Sequence, residues 1–266
     1  MKYSLLLSAI FILLVASSCH QGKDKGVLLK KSEEPISVLS LKYARGFSIH
    51  YFDGFKIISV RDGKDTTKLL AEYILYPKSS SAPLGYDKAV KIGTPVDKVV
   101  CISTTHIAEL VKLNLVDRIA GITGASLIYN QEVHQRIEQG AIANLGNDEM
   151  DFERLVEIAP SFVLSSGSYD GGDKLNIKLR SLNIPSVLNL DYMEQDPLAR
   201  AEWLKFMAAF FDREKEADSL FSITEEKYLS LKNQMKQVVQ RPTVFCNIPF
   251  KEIWYMPCGE NYMAFD

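Results

Sequence analysis

Long hydrophobic runs are scarce in this chain of 266 residues. The most apolar stretch, Leu5–Ala16, falls well short of the roughly 20 residues a membrane-spanning helix needs. No Gly-rich phosphate loop follows a strand and no G-x-S-x-G elbow occurs, which removes the signatures of nucleotide enzymes and of α/β-hydrolases. The four histidines, His20, His50, His106 and His134, lie far apart without H-x-x-x-H spacing, so a zinc hydrolase has no support. An excess of one charge is also missing. The 31 Lys and Arg against 33 Asp and Glu leave a net charge of −2, and no basic stripe offers itself to nucleic acid. The four cysteines include no C-x-x-C pair, so neither a redox motif nor a cysteine metal site is indicated, and no cofactor is expected.

What is present begins with a short basic start, an apolar stretch and small residues, the pattern of a secretory signal. Ala16-Ser17-Ser18 leads directly into Cys19. This resembles the lipobox of bacterial lipoproteins, which implies a signal peptide over 1–18 and a lipid on Cys19. The polar, Lys- and Gly-rich stretch to residue 35 reads as a tether. The chain is thus expected in the periplasm or at the cell surface, held to a membrane by its lipid. With Cys19 acylated, Cys101, Cys246 and Cys258 remain. Cys246 with Cys258 is the simplest disulfide, and buried free thiols are an equal alternative.

Residues 36–93 favour strands. "FSIHYF" and "FKIISV" alternate around Asp53-Gly54, a hairpin signal, and "LLAEYILYP" adds a third strand, so an antiparallel β-meander is expected. From residue 94 to 195 the rhythm becomes strand–helix–strand: "KVVCIS", "TTHIAELVKLNL", "RIAGIT", "NQEVHQRIEQG", "DFERLVEIAP", "SFVLSSG", "GDKLNIKLRSLNI", "PSVLNLD". That alternation predicts an α/β lobe built on a parallel sheet. Asp196-Pro197 opens a span with no helix breaker until Arg241-Pro242. An apolar stripe runs from Trp203 through Phe206, Phe210, Ala217, Phe221, Thr224, Tyr228 and Leu231 to Met235. The spacing predicts a single connecting helix over 196–239, about 40 residues and roughly 60 Å long. Residues 240–266 read as the start of a second α/β lobe, incomplete because so few residues cannot bury a core.

This order resembles the substrate-binding lipoproteins of ABC importers for ferric siderophores, haem and vitamin B12. "VVCISTTHIAELVKLNLVDRIAGIT", "MDFERLVEIAPSFVL", "YMEQDPLARAEWLKF" and "EIWYMPCGENYMA" carry the likeness, which runs from about residue 95 to the end. The resemblance implies a monomeric binding protein, not an enzyme, partnered by a permease and its ATPase, with a C-terminal lobe cut short. It also implies that Phe152-Glu153-Arg154-Leu155 places Glu153 as a docking carboxylate for the permease. An exposed carboxylate at a helix start is equally at home with the helix dipole.

Ligands of open α/β sheets sit at the carboxyl ends of the strands. Those ends carry Ser103, Thr104, Thr105 and His106, then Ser126 and Tyr129, then Gly167, Tyr169 and Asp170, then Tyr192. The second lobe would add Trp254, Tyr255 and Tyr262. Aromatic rings and hydroxyls suit a large, flat or chelated ligand. Each has a plainer reading. Ser103 to Thr105 serve equally as helix caps, and His106 as a metal-centre ligand competes with a favoured solvent-facing helix start. Tyr169 and Asp170 fit a surface loop as well, and Trp254 and Tyr255 fit a lobe core. An envelope α/β enzyme, or a shortened lipoprotein that no longer binds, remain the alternatives.

Overall fold

The structure is a computed structural model that describes residues 34–147, 149–167, 174–240, 243, 249 and 251–254. Two five-stranded sheets organise it. The first contains β1 (Ser37–Val38), β2 (Phe47–Phe52), β3 (Phe55–Arg61), β4 (Leu69–Pro77) and β5 (Val90–Thr94), paired in sequence order. The alternation of β2 and β3 makes one face apolar. Ile49, Ile58 and Tyr73 sit side by side across β2, β3 and β4, all buried. Gly54 closes the expected hairpin with a φ of 79°, a backbone state that glycine adopts without a Cβ clash. The meander departs from expectation at its end. β5, which no sequence signal marked, pairs parallel with β4 after the 78–89 crossover.

The second sheet is wholly parallel, in the order β10-β9-β6-β7-β8. Its strands are β6 (Val99–Cys101), β7 (Ile119–Ile122), β8 (Ala143–Asn144), β9 (Phe162–Ser165) and β10 (Ser186–Leu188). Every residue of β6 and β9 is buried, as a sheet covered on both faces requires. The helices between them are α1 (Thr104–Lys112), α2 (Gln131–Glu138), α3 (Phe152–Ile158) and α4 (Lys174–Ser181). Asn130 caps α2 and Asp151 caps α3, each carboxamide or carboxylate oxygen accepting a first-turn backbone N–H. Of this lobe, the short edge strand β8 alone was not legible beforehand. Cys101 is a buried free thiol, while Cys246 and Cys258 lie outside the described residues.

The expected unbroken rod over 196–239 is not what forms. The span is divided into α5 (Pro197–Glu202), α6 (Leu204–Ala209) and α7 (Glu214–Met235). The rod proper is α7, with 22 residues, about 33 Å of helix. The break has a tertiary cause. The Phe210 carbonyl accepts the backbone N–H of Val96 at 3.0 Å, and Asp212 turns the chain at a φ of 56°. The Lys56 ammonium, reaching from β3, donates to the Ala209 carbonyl at 3.4 Å and to Asp212 at 2.7 Å, and also binds Glu214. The left-handed turn at Asp212 ends α6, the Arg213 N–H bonding back to the Ala208 carbonyl at 3.0 Å, and the contacts from Val96 and Lys56 hold that turn in place.

The aromatic stripe becomes the seam between the two sheets. Trp203 and Phe206 lie 4.8 and 5.6 Å from the Phe47 ring of the first sheet. Phe210 meets Tyr73 of the first sheet at 6.0 Å and Phe162 of the second at 5.0 Å. Such tilted and edge-on contacts add to the area these rings bury. Burial along the stripe ends at Phe221, and Leu231 and Met235 are exposed. A direct bond also joins the sheets: the Leu188 backbone N–H donates to the Tyr73 hydroxyl at 2.8 Å.

Candidate functional site at the carboxyl edge of the parallel sheet

The chain runs from β6 outward to β7 and β8, then returns to the other side of β6 for β9 and β10. The reversal falls between β6 and β9, so a crevice opens at their carboxyl ends, where ligands of such sheets bind. A cavity of about 680 Å³ lies along this edge. It is lined by Ile102 after β6, Thr123 after β7, Asn147, Glu149, Met150 and Phe152 after β8, and Lys174, Leu175 and Lys178 of α4. Apolar walls and a few polar groups are what a small-molecule site needs. The Lys178 ammonium stands 5.7 Å from the centre of the Phe152 ring. This keeps a positive charge over an aromatic face at the rim.

A second groove, of about 400 Å³, lies between α1 and the segment after β7. Thr104 and Tyr129 share this groove with Ile107, Ala108, Val111, Leu127, Ile128 and Asn130. The Tyr129 side chain is almost wholly solvent-exposed. Ser126 is exposed in a turn over Ala125–Leu127 and Tyr192 half-exposed in a turn over Asp191–Met193. Gly167 follows β9 at a φ of 70°. Ser103, Thr104, Thr105, Ser126, Tyr129, Gly167 and Tyr192 thus all follow carboxyl ends of the parallel strands, yet none of them lines the larger cavity. Ser103 is the N-cap of α1, its hydroxyl accepting the Thr105 N–H at 3.3 Å. Trp254 is 42% exposed, and Tyr169, Asp170, Tyr255, Tyr262 and Cys19 lie outside the described residues.

His106 is neither a cleft ligand nor solvent-facing. Its side chain is fully buried, and neither ring nitrogen has a hydrogen-bond partner among the described residues. Burial holds the imidazole down at about 4, so it is neutral at physiological pH. One turn further along α1, the Glu109 carboxylate accepts the Asn189 side-chain amide at 2.8 Å. Burial, and then the nearby Asp191 carboxylate, raise Glu109 well above the ordinary carboxylate range, against the opposing Asn189 bond. Asp191 is itself raised by burial, with Arg200 at 3.6 Å pulling the other way. Glu153 is exposed in the first turn of α3, beside the cavity-lining Phe152.

The sequence reading missed Asn147, Glu149, Lys174 and Lys178. It followed loop residues at strand ends, whereas the cavity wall is completed by the first two turns of α4. The usable signal was the Lys174–Lys178 spacing of four, which puts both ammonium groups on one helix face.

A family model described as "Periplasmic binding protein" matches residues 99–264. The chain belongs to the periplasmic binding protein family. Among relatives of this family member, an uncharacterized lipoprotein of Methanocaldococcus jannaschii is 28% identical over 285 residues, covering 96% of this chain and 67% of that protein. A second uncharacterized lipoprotein of the same organism is 22% identical over 227 residues, covering 80% of this chain and 54% of that one. The chain therefore spans between about half and two thirds of the length of these relatives. Among solved structures, a possible iron-binding (periplasmic solute-binding) protein of Staphylococcus epidermidis superposes with a TM-score of 0.52 at 16% identity, covering 64% of each chain. That likeness is one of fold. The match begins at β6, so the first sheet precedes the segment that the family model describes.

Proposed function

We propose that this periplasmic binding protein captures a metal chelate, a ferric siderophore, haem or cobalamin, outside the cytoplasm and delivers it to an ABC permease and its ATPase. A lipid on Cys19 would hold the protein, as a monomer, to the membrane. The observation that carries the reading is the crevice at the carboxyl edge of a family-matched parallel sheet, with its 680 Å³ cavity. The name of the similar Staphylococcus epidermidis protein, possible iron-binding, and the lipoprotein names of the relatives support the same reading. Phe152 and Met150 offer apolar area, while Lys174 and Lys178 offer charge to an anionic chelate.

Titration of the full chain with ferric siderophores, haem and cobalamin, followed by calorimetry, tests this. One of them is expected to saturate at a single site. The double variant K174Q/K178Q should weaken an anionic chelate about tenfold, the order of two exposed charge-assisted contacts. If no chelate saturates the protein, the ligand assignment fails. Docking has a separate test. In proteoliposomes with the permease and ATPase encoded nearest to it, Glu153→Arg should leave the chelate Kd unchanged and abolish stimulation of ATP hydrolysis. Full stimulation by that variant would remove Glu153 from the docking surface.

A further inference from the structure

The sheet over Ser37–Thr94 precedes the family-matched segment, yet it grips the helices of the connecting span at three places. Five successive backbone N–H groups, from Lys42 to Gly46, donate to two carboxylates. Lys42, Tyr43 and Ala44 donate to Glu202 at 2.8–3.1 Å, and Arg45 and Gly46 to Glu194 at 2.9 Å. Trp203 closes the arrangement, its indole N–H also donating to Glu194 at 3.0 Å. Glycine is required at 46, because a Cβ there would stand 2.8 Å from the Trp203 ring.

From this gripped segment the side chains reach the rod. The Lys42 ammonium and the Tyr43 hydroxyl donate to the two oxygens of Glu225 at 2.6 and 2.9 Å. At the other end, Lys56 of β3 holds the break itself through Ala209, Asp212 and Glu214. Glu214 is the first residue of α7 and Glu225 lies about three turns on, roughly 16 Å along the axis. Between them Lys205 of α6 contacts Asp218 at 2.8 Å and lies 4.6 Å from the Phe221 ring centre. A helix held at two separated points has its direction fixed. Past Glu225 the rod carries exposed apolar residues, Leu229, Leu231 and Met235.

We propose that the N-terminal sheet is a brace: through Lys56 at the helix break and Lys42 and Tyr43 on Glu225, it fixes the direction in which the rod leaves the α/β lobe. Without it, the turn at Phe210–Arg213 would act as a hinge, and whatever the rod carries would swing relative to the carboxyl-edge crevice. The inference does not depend on the identity of the ligand.

Double electron–electron resonance on the full chain tests it. Spin labels are placed at Glu138→Cys on the lobe and Ser230→Cys on the rod, with Cys19, Cys246 and Cys258 replaced by serine and the buried Cys101 kept. One narrow distance is expected, and K56M/E225Q should at least double its width. A control pair within the lobe, Glu138→Cys with Arg180→Cys, should stay narrow in both. An unchanged rod distance in K56M/E225Q overturns the proposal. If the control pair also broadens, K42M/Y43F, which leaves the break intact, is measured in its place, and an unchanged rod distance there overturns it equally.

Discussion

Replacing Glu202 by alanine should destabilise the protein by about 3–5 kcal/mol, the order of breaking a buried ion pair, with Lys205 left only the largely exposed Asp218 as counter-charge. Glu202 is fully buried, and so, nearly, is Lys205, whose ammonium donates to it at 3.2 Å. The carboxylate does two jobs. It shares the charge of Lys205 with Asp218, and it accepts the backbone N–H groups of Lys42, Tyr43 and Ala44. Alanine removes both at once, at a position with no exposed surface. For a domain of this size such a loss lowers Tm by about 6–20 °C. The two jobs can be separated. In E202A/K205M the charge problem disappears while the unpaired N–H groups remain, so part of the loss should return. Chemical denaturation of the three proteins measures this. A loss below about 1 kcal/mol in E202A would mean that the Lys42–Ala44 segment finds other acceptors and that its grip on the helices is unimportant.

This network also shows where sequence reasoning ends. The hairpin at Asp53-Gly54, the caps at Asn130 and Asp151 and the strand–helix alternation after residue 94 were legible, because each is set by neighbours a few residues away. The broken helix was not. Between Asp196 and Val239 nothing local forbids one long helix. The break at Asp212 is held by Lys56 and Val96, more than a hundred residues earlier, which hydrogen-bond the carbonyls of Ala209 and Phe210. Helix α6 is buried at every residue because it lies between two sheets, and periodicity cannot report a second covering layer. The two-residue strand β8 was invisible for a related reason: so short a segment carries no period.

The site was read less well than the fold. Strand ends pointed to the carboxyl edge of the sheet, along which the cavity lies, and Ser103, Tyr129, Gly167 and Tyr192 are all found there. The cavity walls, however, come from α4 and from the turn after the unanticipated β8. The family relationship rests on the match over residues 99–264, which includes α7, and not on the 196–239 span being unbroken. The rod's interruption therefore corrects the architecture without removing the assignment.

His106 shows how a residue type can mislead, and its replacement by leucine should change the pH dependence of stability. Its position in "TTHIAEL" invited a surface or ligand reading, but His106 shares the buried face of α1 with Ile107 and Leu110. In the folded protein the imidazole stays neutral down to about 4, against 6.5 when unfolded. The unfolded chain therefore binds the extra proton as pH falls from 6.5, and stability is lost across the window from 6.5 to about 4, then levels off. A shift of this size is worth about 3 kcal/mol at the acid end. Glu109 acts in the opposite sense. Its folded carboxyl holds a proton that the unfolded chain releases above 4.5, so its contribution falls as pH rises through that value toward its raised folded pKa. In the wild type the two slopes oppose one another where they overlap. H106L should remove only the first, gaining on the wild type by about 3 kcal/mol as pH falls from 6.5 to 4, with a smaller gain at neutral pH from losing an unpartnered polar group. E109Q, which can still accept from Asn189, should gain on the wild type as pH rises instead. Urea unfolding across that range reads both curves. If H106L runs parallel to the wild type, His106 is charged or hydrated in the fold, and its burial as a neutral ring is refuted.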